Sequence, residues 1–246
     1  MGGGGSAYAL SREREAPATN PVTDLATAGP PLAEARAAVI LLHGRGASAP
    51  SILGLGRELG PDLALLAPQA PPIGGVPQWY PHSFLAPNEA NEPHLGRALD
   101  AVAAAVAHAE AALPRARIAI GGFSQGACLG LEHLARTGGR WAAAFALSGG
   151  LIGTGPGPDA TPGLRGAGGL YPDKAFAYGT RLDGSPVFLG CGDPDPHIPA
   201  ARVRRSAEVL AELGADVDAR LYPGLGHTVS HDELDAVRAL LADDGS

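Results

Sequence analysis

The sequence predicts an α/β fold with a mostly parallel central sheet and helices on both faces, and three observations predict it. Short, continuous apolar runs end at glycine, proline or polar turn residues, as strands buried on both faces do. Between them lie segments whose apolar residues recur at helical spacing. The two patterns alternate along the chain, and that alternation builds parallel sheets.

Taken in order, residues 1–35 scatter Pro, Gly, Ser and Thr among few large apolar side chains. They read as a flexible N-terminal tail or edge segment, with room for one short edge strand, ahead of a single domain over 36–243. Met1-Gly2 with Ser6 has the form of a myristoylation signal, but MGGGGS reads more simply as a Gly-rich tail or linker. AAVILLHG (Ala37–Gly44) is the first buried strand and LALLAPQ (Leu63–Gln69) the second. Gly74–Pro93 is irregular and gathers Trp79, Tyr80 and Phe84. A long helix follows, with Leu95, Leu99, Val102, Val106, Ala109 and Leu113 on one stripe. RIAIGGFS (Arg117–Ser124) is the third strand, and the helix-compatible QGACLGLEHLA comes directly after it. AAAFALSGG (Ala142–Gly150) is the fourth strand. The stretch Gly149–Gly184 then holds 11 glycines and 4 prolines. A connection that long is either functional or a structureless excursion. PVFLGCG (Pro186–Gly192) is the fifth strand. A helix carrying Val203, Ala207 and Leu210 stops at Gly214. DVDARLYP (Asp216–Pro223) alternates, as an outer strand does. Ser230 and Glu233 read as a capping box for a last helix with Leu234, Val237 and Leu241 inward.

Composition narrows the function classes. The chain has 246 residues, 45% of them hydrophobic and 17% charged, enough for one domain with a substantial core. A net charge of −7 and no basic cluster longer than Arg204-Arg205 argue against nucleic acid or an anionic membrane as partner. No apolar run approaches the ~18 residues of a membrane helix, and no secretory signal is visible, so integral membrane association is not expected and a cytoplasmic location is. Cys128 and Cys191 sit in apolar runs and read as buried free thiols. The oligomeric state is not legible; a homodimer is compatible with the sequence.

The chemistry gathers around Gly122-Phe123-Ser124-Gln125-Gly126. This is the G-x-S-x-G pattern of a nucleophile elbow, and it lies between a strand and a helix, where such an elbow belongs. A sharp turn there holds the serine in a strained conformation, and side chains at 122 and 126 would collide with neighbouring backbone. The turn also aims the first amides of the next helix at the hydroxyl. A serine nucleophile needs a base, and the base an orienting acid, in chain order Ser, Asp or Glu, His. His133 falls within the following helix and His231 in the first turn of the last one. His227, in YPGLGHTVS, lies in a loop at the sheet edge where the base is required. GCGDPDPHIP offers both Asp193 and Asp195 as the acid, and loop position does not separate them. His197 beside them has no clear metal-ligand partner, so no metal is expected. A second oxyanion donor must come from an earlier strand's loop. LLHGRGAS supplies one, which assigns the donors to the backbone amides of Arg45 and Gln125, with Gly44 and Gly46 allowing close approach.

GFSQGA, HGRG, GDPDPHIP and GLGHT, in their order, resemble the phospholipase/carboxylesterase branch of the α/β hydrolases, which includes acyl-protein thioesterases and small bacterial carboxylesterases. The resemblance runs from about Ala37 to Leu241 and implies an α/β-hydrolase fold. It implies Asp195, the second aspartate of its loop, as the acid. WYPHSF (Trp79–Phe84) is similar to the family's pocket-rim segment, and the 149–184 insertion departs from the family pattern. The implied activity is hydrolysis of a small ester or thioester through Ser124, His227, Asp195 and an acyl-enzyme, without metal or cofactor. His43, Gly44, Trp79, Tyr80 and Phe84 are the expected substrate-contacting residues, although the three aromatics also suit an ordinary core. A small carboxylesterase is the first expectation. A lysophospholipase or acyl-protein thioesterase is the alternative, and a non-catalytic ligand-binding scaffold is the rival of another class.

Overall fold

The computed structural model describes residues 24–157, 165–166, 169–170 and 174–242. The Met1–Ser6 stretch and most of 158–173 lie outside them. The chain forms β1 (Leu25–Ala28), β2 (Ala37–Leu42), α1 (Ala49–Arg57), β3 (Leu63–Pro68), a two-residue ribbon of β4 (Pro72–Ile73) and β5 (Val76–Pro77), α2 (Asn88–Asn91), α3 (His94–Glu110), β6 (Ile118–Phe123), α4 (Gln125–Thr137) and β7 (Ala143–Leu147). The short pairs β8 (Gly155–Pro156) with β11 (Lys174–Ala175) and β9 (Arg165–Gly166) with β10 (Gly169–Leu170) come next. β12 (Pro186–Asp193), α5 (Ala200–Glu212), β13 (Asp216–Pro223) and α6 (His231–Ala242) complete it.

The main sheet has seven strands in the order β1-β3-β2-β6-β7-β12-β13. Every pairing is parallel except that of β1, which runs antiparallel to β3 at the edge. The expected mostly parallel sheet with helices on both faces is therefore what forms. Alternate residues of the central strands feed two cores, as a period-two strand must when both faces are covered. Ile40, Leu42, Ile120 and Leu189 pack with α3, α4 and α5. Val39, Leu41, Leu65 and Phe188 pack with α1 and α6 on the other side. β13 is only partly buried, as its alternating sequence requires of an edge strand.

Two helices lie where the sequence pattern shows none, α1 and the four-residue α2 inside the Gly74–Pro93 segment. α1 opens with Ser48 as N-cap, in a reciprocal capping box with Ser51 and with proline in the first turn. Gly54 and Gly56 weaken its sequence signal. Gly56 is there for packing: a Cβ on it would meet Leu41 Cδ1 at 2.3 Å and Leu65 Cδ1 at 3.0 Å. The Ser230/Glu233 box forms in both directions, with Glu233 N–H donating to Ser230 Oγ at 3.2 Å and Ser230 N–H to Glu233 Oε2 at 2.7 Å.

Candidate active site

Ser124 stands between β6 and α4 with φ 55° and ψ −119°, a conformation a non-glycine residue adopts only when its surroundings hold it there. Its N–H donates to Leu147 O at 2.9 Å and its carbonyl accepts from Cys128 N–H at 3.0 Å. Its hydroxyl does not cap α4 and is left for another partner. The glycines around it have the expected steric cause. A Cβ at 122 would lie 2.3 Å from Leu42 O, and one at 126 would lie 2.1 Å from the same atom.

The partner of the hydroxyl is His227, whose Nε2 lies 2.9 Å from Ser124 Oγ across a sequence separation of 103 residues. His227 Nδ1 lies 2.7 Å from Asp195 Oδ2. The Asp195 side chain is fully buried, while the imidazole is 19% exposed. Burial alone would raise the Asp195 pKa. The hydrogen bond from His227 and the amides of His197 and Ile198, which donate to Oδ1 at 2.7 and 3.0 Å, outweigh it and hold the group at about 2. The carboxylate is thus ionised and fixed at both oxygens, and Nδ1 is the protonated nitrogen of the His227 imidazole. Asp193, the other candidate, is the last residue of β12 and is paired in register with Pro223. The His227 ring is flanked by Phe123, with centroids 4.9 Å apart, and by the edge-on ring of His197 at 4.8 Å.

The loop after β2 closes against this line. A Cβ on Gly44 would meet Ser124 Cβ at 3.5 Å, so the loop backbone abuts the serine. Among the described residues, the N–H groups of Arg45 and Gln125 donate to no protein acceptor. Two side chains at these same positions do work the sequence did not reveal. The Arg45 guanidinium donates to the side chain of Gln78 and to the carbonyls of Tyr80, Pro81 and His82. The Gln125 amide accepts from Trp79 N–H at 2.9 Å and donates to Tyr80 O at 2.7 Å. Together they pin the irregular 78–82 segment over the start of α4. A polar side chain next to a required backbone amide carries no sequence signal of such a clamp.

A cavity of about 500 Å³ opens at Ser124 and His227, with Gly44, Tyr80, Phe84, Phe123, Cys128 and Ile198 among its lining residues. Of the expected substrate-contacting residues, Gly44, Tyr80 and Phe84 line it. His43 and Trp79 do not: both are buried behind the wall. His43 Nδ1 lies 2.8 Å from Gly44 O, and its Nε2 accepts from Ala70 N–H at 3.0 Å. This is the neutral Nδ1–H tautomer, and burial lowers its pKa. Trp79 Nε1–H donates to His43 O at 2.8 Å. These two rings brace the loop rather than meet a ligand. Cys128 and Cys191 are buried free thiols, and burial pushes Cys128 up to about 12. Among the described residues, no helix is long and apolar enough to cross a membrane.

A family model described as Phospholipase/Carboxylesterase matches residues 27–161. The chain is 34% identical over 130 residues to acyl-protein thioesterase 1 of Gibberella zeae, an alignment that covers 51% of this chain and 47% of that protein. It is 32% identical over 134 residues to acyl-protein thioesterase 1 of Neurospora crassa, covering 54% and 49%. The match therefore spans about half the length of these curated relatives. Among solved structures, a phospholipase/carboxylesterase from Dyadobacter fermentans superimposes with a TM-score of 0.76 at 37% identity, over 89% of this chain and 96% of that one.

Proposed function

The chain belongs to the phospholipase/carboxylesterase family of α/β hydrolases, and from that premise we propose that it hydrolyses small carboxylic esters through Ser124, His227 and Asp195. The observation that carries this reading is the continuous line of hydrogen bonds from Ser124 Oγ through the imidazole to Asp195, 2.9 and 2.7 Å long. Ser124 Oγ attacks the ester carbonyl carbon while His227 Nε2 takes its proton, and Asp195 steadies the resulting imidazolium. The negative charge that develops on the carbonyl oxygen is held by the N–H groups of Arg45 and Gln125, the latter at the positive end of α4. The C–O bond breaks, the alcohol leaves with the proton from His227, and the acyl group stays on Ser124. Water, deprotonated by His227, then releases the acid. No metal or cofactor enters these steps. Residues 36–243 act as one catalytic domain in this reading.

The cavity has the size of a small-molecule site, and its apolar lining suits an acyl group of modest length. A thioester is the second reading, favoured by the similarity to acyl-protein thioesterases. The test is a panel of p-nitrophenyl esters of increasing chain length beside a lysophospholipid and an acyl thioester. Wild-type enzyme is expected to turn over the short esters and to take a fluorophosphonate on Ser124. Ser124→Ala is expected to keep its circular dichroism and lose about 10³-fold or more in kcat. Full activity in that variant would remove Ser124 as the nucleophile and with it the scheme above, whereas no adduct on Ser124 would favour a ligand-binding scaffold.

A further inference from the structure

Lys174, the one lysine of the chain, is 1% exposed. It stands in the neck of the 149–184 insertion, where β8 and β11 pair antiparallel. Its Nζ donates to Phe84 O at 2.7 Å and to Asn88 Oδ1 at 2.8 Å, across 90 and 86 residues of sequence. Asn88 completes the bridge, since its Nδ2 donates to Gly153 O at 2.8 Å on the other limb of the neck. Gly153 has φ +95°, and a Cβ there would meet the Lys174 stem at 3.3 Å, so the stem lies directly over it. The neck is also tied to the helix that follows Ser124: Glu132 Oε2 on α4 accepts from the Gly153 N–H at 3.0 Å and from Tyr178 O–H at 2.7 Å.

A buried ammonium is costly unless it is bonded, and its acceptors here are the backbone and flank of the cavity wall. Phe84 lines the cavity. Burial, and secondarily Arg202, lowers the Lys174 pKa to about 7, against the pull of Glu132 and Glu89, so the ammonium is held at a cost. We propose that the neck of the insertion braces the wall of the acyl cavity from behind, with Lys174 and Asn88 as positioning residues that hold Phe84 in place and so set which acyl chains fit. The Gly-rich insertion thereby gains a role in specificity, and the inference rests on the esterase reading above.

The test measures kcat/KM of wild type, Lys174→Met and Asn88→Ala over p-nitrophenyl esters from acetate to octanoate. Methionine keeps the length of the lysine stem and removes the donor. Asn88 is half-buried, so its truncation is the milder variant if the first does not fold. With the wall released, acetate turnover stays within about twofold of wild type, and the octanoate-to-acetate ratio rises by about tenfold or more, the scale on which a hydrophobic pocket discriminates chain length. A folded variant whose ratio is unchanged or falls, with all esters slowed alike, overturns the proposal while wild-type hydrolysis leaves the esterase reading standing. Wild type that hydrolyses no ester and takes no phosphonate overturns both.

Discussion

Ser124, Asp195 and His227 are single residues whose chemistry depends on what each neighbour does to them. Ser124 is legible in the sequence because its strained turn demands glycines at 122 and 126, and glycines can be read. Asp195 is not separable from Asp193 by residue type or loop position, and only resemblance to a family favoured it. The structural difference is that Asp193 is still strand, whereas Asp195 sits where the chain turns and collects the His197 and Ile198 amides on one oxygen. The other oxygen is then free to face His227. Asp195→Asn keeps the shape of the turn but can present an N–H to the Nδ1–H of His227, which disfavours the tautomer needed for a base. We expect a loss in kcat of about 10³–10⁴-fold for Asp195→Asn and little change for Asp193→Asn, read from initial rates on one ester. The reverse ranking would relocate the acid.

At the level of elements, the site exists because two loops from distant parts of the chain can come close. The loop after β13 brings His227 to the end of β12, and Gly192 is what allows it. A Cβ there would lie 2.0 Å from Gly226 O and 2.7 Å from Gly226 N. Gly192→Ala is therefore expected to push the His227 loop outward, lengthen the bond to Ser124 and lower kcat by more than it changes KM. Overpacking of this kind also costs about 1–3 kcal/mol of stability, visible as a lower thermal midpoint. Unchanged kcat would show that the loop has slack. The buried strands of the main sheet are legible because continuous apolar runs bounded by turn residues have few other uses. α1 is hard to read in the sequence because Gly54 and Gly56, the latter needed for close packing against Leu41 and Leu65, look in one dimension like a loop.

For the whole molecule, histidines buried in the packing around the sheet tie stability to pH. His133 is buried on α4, edge-on to Trp141 at 6.0 Å. Burial, and secondarily the nearby Arg115, lowers its pKa from 6.5 to about 4. Between those values the unfolded chain binds a proton that the folded chain refuses, so stability present above pH 6.5 is lost as pH falls toward 4. His43, also lowered by burial, acts in the same direction. The thermal midpoint should therefore fall between pH 7 and pH 4.5, and His133→Phe, which keeps a ring against Trp141, should fall less over the same interval. An equal drop in both would assign the acid sensitivity elsewhere. The sequence by itself determined the layered α/β architecture, the serine on its elbow and the order of its partners, because hydrophobic periodicity and glycine-dependent turns are local requirements written in consecutive residues. Which aspartate meets the imidazole, the withdrawal of His43 and Trp79 behind the wall, the clamps made by Arg45 and Gln125, and the bridge from Lys174 to Phe84 were decided only by tertiary structure. Each depends on side chains dozens of residues apart meeting at hydrogen-bond distance, and no local pattern encodes a distance.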